Sequence, residues 1–202
     1  MSIPWGDIAT FGTAGLSAVA AAGAWFAAHR ANRTADTVAR IEKERWHADL
    51  TPQFKLDLAE VGNGQALLDV HLSGPDALGH LDSISIVVGN DDRDHVLLHS
   101  GPNVTQADVD AFVWGPFKFS PGTNGTDEHG RAPEPFPLSV GTGTQRAMQR
   151  THQGHWMEGK TQGTWQGEYV GKPIRLKLTC RRGDEEWVIT RHLENPLFEA
   201  DA

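Results

Sequence analysis

The amino-acid sequence predicts a mainly β protein, an antiparallel β-sandwich preceded by one long N-terminal helix. Three observations point there. Between Phe54 and Ile189, apolar residues recur at every second position in short runs, and clusters of glycine, proline, asparagine and aspartate separate those runs. The first fifty residues carry instead an uncharged stretch, 8–28, followed by apolar spacing of three and four. The sequence shows no alternation of strand and helix patterns and no internal repeat, which excludes a parallel α/β fold and a solenoid. The expected domains are an N-terminal flank (1–7), a transmembrane helix (8–28), a juxtamembrane helical stalk (29–50), the sandwich (51–195) and a tail (196–202).

The 8–28 stretch has 21 residues without a charged side chain, the length that about 20 apolar residues need to cross a hydrocarbon core. Ile8, Phe11, Leu16, Val19, Trp25 and Phe26 are its large apolar residues, and Trp5 and Trp25 stand at its two ends, where amphipathic rings favour the headgroup level. Asp7 is the one charged side chain before it, whereas Arg30, Arg33, Arg40, Lys43 and Arg45 follow it. Positive residues stay inside, so the expected topology is a single pass with the N-terminus outside and the C-terminal domain cytoplasmic. No basic region precedes the stretch, so it is expected to stay uncleaved. Ala14, Ala18 and Ala22 form a small-residue face on which two copies can approach. Beyond it, Ala31, Thr34, Val38, Ile41, Arg45 and Ala48 keep a heptad-like spacing, until Pro52 forces Thr51 out of helical geometry.

From there the period is two. Phe54, Leu56 and Leu58 predict the first strand, and Leu68, Val70 and Leu72 the second, with Gly62, Asn63 and Gly64 turning the chain between them. Ile84, Ile86 and Val88 predict a third, Val96 and Leu98 a fourth, and 112–119 a fifth that Gly115 and Pro116 interrupt. A loop rich in glycine and proline leads to Phe136, Leu138 and Val140, and the polar stretch 141–172 shows no clear period. The last two strands are carried by Ile174, Leu176, Leu178 and Cys180 and by Trp187 and Ile189, with a turn at Arg182, Gly183 and Asp184.

The net charge of −8 lies entirely beyond residue 50, where 13 basic face 21 acidic side chains. An acidic domain without a basic stripe argues against nucleic acid as a partner. One cysteine, Cys180, excludes an internal disulfide, and its parity places it on the core face rather than at a reactive site. Asp91, Asp92, Asp94, His95 and His99 invite a metal reading. On a strand, however, His95 and His99 would stand roughly 13 Å apart, four residues at ~3.3 Å each. Asp127 and His129 lie in a glycine-rich loop where an acid/base pair is conceivable, but no spacing supplies a completing group. No catalytic residue, metal ligand or cofactor site is therefore assigned. The phosphate-binding glycine loop and the nucleophile elbow are absent.

The stretch His47, Ala48, Asp49, Leu50, Thr51, Pro52, Gln53, Phe54 and the stretch from Val113 and Trp114 through Gly115, Pro116, Phe117, Lys118, Phe119, Ser120, Pro121 and Gly122 are distinctive. With Gly125, Asp127, Gly130 and Arg131 behind them, they resemble small uncharacterised actinobacterial proteins. In these a short membrane or helical segment precedes a domain that begins Leu-Thr-Pro-x-Phe. The resemblance covers about residues 45–195; it implies the domain boundary and a bacterial setting, and no activity.

The expected function is that of a non-enzymatic, membrane-anchored interaction or scaffold module that binds an unidentified protein and self-associates. Its partner surface is placed at the strand break Trp114–Pro116 and the loop carrying Asn124, Asp127, His129 and Arg131, because recognition residues gather on loops of rigid sandwiches. Three alternatives stand beside it. One is an extracytoplasmic glycan-binding module using Trp156 and Trp165. Another is a soluble assembly subunit whose N-terminal helix packs in an oligomer, and the third is a hydrolase using Asp127 or His129.

Overall fold

The computed structural model of the chain describes Trp25, His29, Arg30, Arg33, residues 35–97 and residues 104–196. The chain divides between Asp49 and Leu50, and the two parts are taken separately. In the first, residues 35–49 form a helix, α1, with Val38, Ile41 and Trp46 exposed. Among the described residues no helix is long and apolar enough to cross a membrane, and the stretch 8–28, Trp25 apart, lies outside them. The long N-terminal helix expected from the sequence is thus not shown; the continuous helix described covers 35–49 alone, and most of the expected span lies outside the described residues.

The second part is built of eight strands: β1 (Gln53–Gly62), β2 (Gln65–Gly74), β3 (His80–Val88), β4 (Phe117–Phe119), β5 (Phe136–Ser139), β6 (Gly143–Arg150), β7 (Ile174–Arg182) and β8 (Glu185–Leu193). They form two antiparallel four-stranded sheets, ordered β1-β2-β6-β4 and β5-β3-β7-β8. Two short helices, α2 (Gln106–Ala111) and α3 (Gln162–Glu168), interrupt the strand succession. Each is opened by a threonine that accepts a backbone N–H of its first turn while a side chain reaches back, Thr105 with Asp108 and Thr161 with Thr164.

The period of two fixes the sandwich. Leu68, Val70 and Leu72 of β2 point to one side, Ile84, Ile86 and Val88 of β3 and Ile174, Leu176, Leu178 and Cys180 of β7 point to meet them, and all are buried in one core. Burial of each such side chain stabilises by roughly 1.5–3 kcal/mol relative to exposure. The same burial pushes the Cys180 thiol up to about 12, so it is an inert core residue. The first hairpin closes through Asn63 and Gly64, at φ 52 and 72, the left-handed pair that a two-residue turn between twisted strands requires.

Three stretches depart from the expected strands. Residues 92–97 are irregular, and Leu98 and His99 lie outside the described residues. The strand expected at 112–119 is only β4, because 106–111 is helical and the chain then bends through Gly115 and Pro116. Conversely, 141–172 contains β6 and α3. β6 carries little apolar alternation, since the residues opposite Val70, Leu68 and Ala66 are Thr144, Arg146 and Met148. Arg146 serves an interior position by laying its guanidinium over the Phe136 ring of the other sheet, 3.8 Å from the centroid.

Candidate functional site

One end of the sandwich carries a second, aromatic core. Trp165 and Tyr169, four residues apart on and just beyond α3, are buried against Trp114, with Phe112 and Trp156 at the edge. The rings meet at angles: Trp165–Tyr169 centroids are 5.1 Å apart, Phe112–Trp165 5.6 Å and Trp114–Trp165 5.7 Å. Both buried indole N–H groups find acceptors. Trp114 Nε1 donates to the Val109 carbonyl at 2.9 Å, and Trp165 Nε1 to Thr151 Oγ1 at 2.9 Å. His95 stacks flat on Trp114, centroids 3.6 Å apart, and its Nε2 lies 2.5 Å from Asp91 Oδ1.

The Trp114–Pro116 segment is held on both sides. The Trp114 N–H donates to Asn90 Oδ1 at 3.2 Å and its carbonyl accepts from Asp91 N at 2.8 Å. On the other side Thr151 donates its hydroxyl to the Gly115 carbonyl and its N–H to the Pro116 carbonyl. Behind this segment, residues 130–131 bridge the two sheets. The Gly130 carbonyl accepts from Phe119 N of β4 at 2.8 Å, and the Arg131 carbonyl from Val88 N of β3 at 2.9 Å. The Arg131 guanidinium then turns inward, where Nη1 donates to the Val88 carbonyl at 3.4 Å and Nη2 faces the carbonyls of Asp110, Ala111 and Phe112 at 3.1, 3.2 and 2.8 Å. Gly130 has no substitute here: at φ +78, a Cβ would stand 2.4 Å from the Phe119 carbonyl oxygen.

Against this frame opens a cavity of about 270 Å³, floored by Trp114, Pro116, Tyr169 and Pro173 and ringed by charges. The ring carries three acids, Asp91, Asp92 and Glu168, and three cations, Arg93, Lys172 and Arg175. Arg93 pairs with Asp91 at 2.7 Å and reaches Glu168 at 3.6 Å, Lys160 holds Glu168 at 2.6 Å, and Arg175 grips Asp92 with both guanidinium nitrogens. Burial of Asp91 works against its charge, but hydrogen bonds from His95 and Arg93 outweigh it and hold the carboxyl below its ordinary range. The Arg175 hydrogen bonds, with the Arg175 and Lys172 charges behind them, do the same for Asp92. Each of the three acids thus has a cationic partner, while Lys172 forms no direct ion pair among the described residues. Tyr169 is 1 % exposed, and among the described residues its hydroxyl has no hydrogen bond of full geometry, the Arg93 guanidinium 5.7 Å from the ring centroid supplying at most a weak one. Burial, reinforced by the Asp91 and Glu168 charges, pushes this phenol far up, so it stays protonated.

Of the residues assigned from the sequence, the structure brings Trp114 and Pro116 together on the cavity floor. Trp114 is 8 % exposed, so it presents an edge rather than a free face. Arg131 stands behind them as the clamp described above. Asp127 is part of the same scaffold, its two oxygens accepting from Arg131 N at 2.9 Å and Ala132 N at 3.2 Å. Asn124, at φ 54, accepts from Ala147 N at 3.2 Å through its side chain. His129 is exposed, 3.4 Å from Glu128. Trp165 is fully buried and offers no face to a sugar. Among the described residues, no three His, Cys, Asp or Glu side chains are grouped to hold a metal ion. Comparison of the chain with protein-family models, with curated proteins and with solved structures finds no match.

Tyr169, Lys172 and Arg175 were not assigned from the sequence. A signal was present in the four-residue spacing of Trp165 and Tyr169 behind Thr161, although the reciprocal partner is Thr164 rather than an acid or amide. The Tyr169 hydroxyl gives a direct check of the cavity floor. Tyr169→Phe removes no hydrogen bond of full geometry and is expected to leave the melting temperature unchanged or slightly higher. A loss of about 1–3 kcal/mol, the cost of breaking a satisfied buried bond, would show that the hydroxyl is engaged.

Proposed function

We propose that this chain is a non-enzymatic protein-interaction module, anchored by residues 8–28 in a single pass and presenting residues 50–196 to the cytoplasm. The cavity beside Trp114 and Pro116 is its recognition pocket, and it receives one apolar side chain of a partner protein with a carboxylate next to it. The observation that carries this reading is the combination of an apolar floor with a rim cation, Lys172, that forms no direct ion pair among the described residues. A pocket of this size suits one anchoring side chain, and interfaces concentrate their binding energy in such anchors. The anchor rests on the sequence: the length of 8–28, its lack of charge, and the five basic residues that follow it.

Two experiments test the two halves. In Lys172→Glu, a change at an exposed position, recovery of the partner by the full chain is expected to fall at least about tenfold, near 1.4 kcal/mol, with the melting temperature unchanged. Undiminished recovery contradicts the pocket. For the tether, the full chain with a C-terminal tag is expected in the membrane fraction, with the tag resistant to protease on intact cells and digested after detergent. A soluble chain, or a tag cleaved on intact cells, contradicts the anchor or its topology respectively.

A further inference from the structure

Each sheet of the sandwich has two edges, and proteins blunt such edges by shortness, proline, bulges or charge. β4 has three residues, and β5 has four with Pro137 among them, so neither can template another strand. β8 has nine, but Arg191 stands at the inward parity of Trp187 and Ile189, opposite Leu176, and an inward-position charge blunts an edge. β1 has ten, no proline, and a regular register with β2 from Phe54 to Glu60. Its other side is unpaired among the described residues. Its inward residues Phe54, Leu56 and Leu58 are only partly buried against the core. Its outward charges are unbalanced. Asp57 stands directly opposite Asp69 of β2, a like-charge pair that costs stability, and is relieved only along the strand by Lys55 at 3.5 Å.

We propose that β1 pairs antiparallel with β1 of a second copy about a two-fold axis at Leu56. That register sets Lys55 opposite the second copy's Asp57 and Asp57 opposite its Lys55, so Asp57 gains a cation on the side away from Asp69. On the inner face it sets Phe54 opposite Leu58 and Leu56 opposite itself, joining the half-exposed apolar residues of both copies. Only alternate registers keep inward residues inward. Moving the axis to Lys55 places two lysines face to face, and moving it to Asp57 places two aspartates face to face, so the charges select Leu56. The product is one eight-stranded sheet, β4-β6-β2-β1 continued into the same order reversed. Two-fold pairing of this kind closes the edge and limits assembly to a dimer through this surface. On α1, the exposed Val38 and Ile41, three residues apart, give the first part of the chain an apolar stripe of its own among the described residues.

Charge exchange tests the register. The purified full chain, in mild detergent, is expected to sediment as a dimer. Lys55→Asp and Asp57→Lys each place like charges in both facing pairs, and each is expected to weaken the dimer about tenfold while leaving the domain folded. Mixing the two variants restores pairing as a heterodimer, and the double exchange restores the homodimer. A monomeric wild-type chain overturns the proposal, as do single variants that dimerise unchanged or a mixture that fails to recover. A second readout holds even where the N-terminal part keeps two copies together. Lys55→Cys mixed with Asp57→Cys should form an intermolecular disulfide in air, and neither variant alone should do so to the same extent. Equal cross-linking in all three samples, or none in the mixture, overturns the register.

Discussion

The cavity end of this domain depends on one half-buried cation. Arg131 is half withdrawn from water, which lowers the pKa of its guanidinium, yet its charge is met by main-chain carbonyls more than by any carboxylate. Four carbonyls from two separate stretches, Val88 at the end of β3 and Asp110 to Phe112 behind α2, converge on it. Carbonyls that converge repel one another and need a donor with several N–H groups in a plane, which arginine supplies and lysine does not. The same residue's backbone joins β3, while Gly130 beside it joins β4. The clamp and the junction of the two sheets are therefore one structural unit, and the Trp114–Pro116 segment is laid upon it.

The cavity inherits its character from that placement. Its floor is apolar because Trp114 and Tyr169 belong to the aromatic core, and its rim is polar because the strand ends bring Asp91, Asp92 and Arg175 there. Neighbouring cations already hold the three acids, so the rim offers a visitor a positive rather than a negative charge. The surface pairs themselves contribute little to stability; exposed pairs give typically 0.2–1 kcal/mol. On the proposed reading they set which ligand charge is tolerated, and Lys172, which forms no direct ion pair among the described residues, decides its sign.

Much of the sandwich was legible in the sequence, and the reason is the one-sided burial of its central strands. β2, β3 and β7 bury alternate residues, so Leu68, Val70 and Leu72, or Ile174, Leu176 and Leu178, announce strand and face together. β6 is just as central, between β2 and β4, yet Thr144 and Arg146 occupy inward positions and erase the alternation. The break at Trp114 to Pro116 was visible as a glycine and proline within an apolar run. The far wall of its cavity was not, because Tyr169 arrives more than fifty residues later from the end of a helix containing Gly163 and Gly167, and Arg175 from the start of β7. Arg131 stood out as a loop residue, but main-chain acceptors have no residue signature, so its inward role could not be read. The N-terminal stretch 8–28 remains a reading of length, charge and flanking residues.

Hydrogen exchange on Arg131→Met tests the central dependence most directly. Methionine keeps an apolar stem and removes every donor. The amides of Val88, Asp91, Phe112 and Phe119, each bonded within or across the clamp, should then exchange at least about tenfold faster, while those of β7 and β8 hold their protection. Unchanged exchange at those four amides, or an equal acceleration throughout the sandwich, would contradict the view that this one residue organises the cavity end.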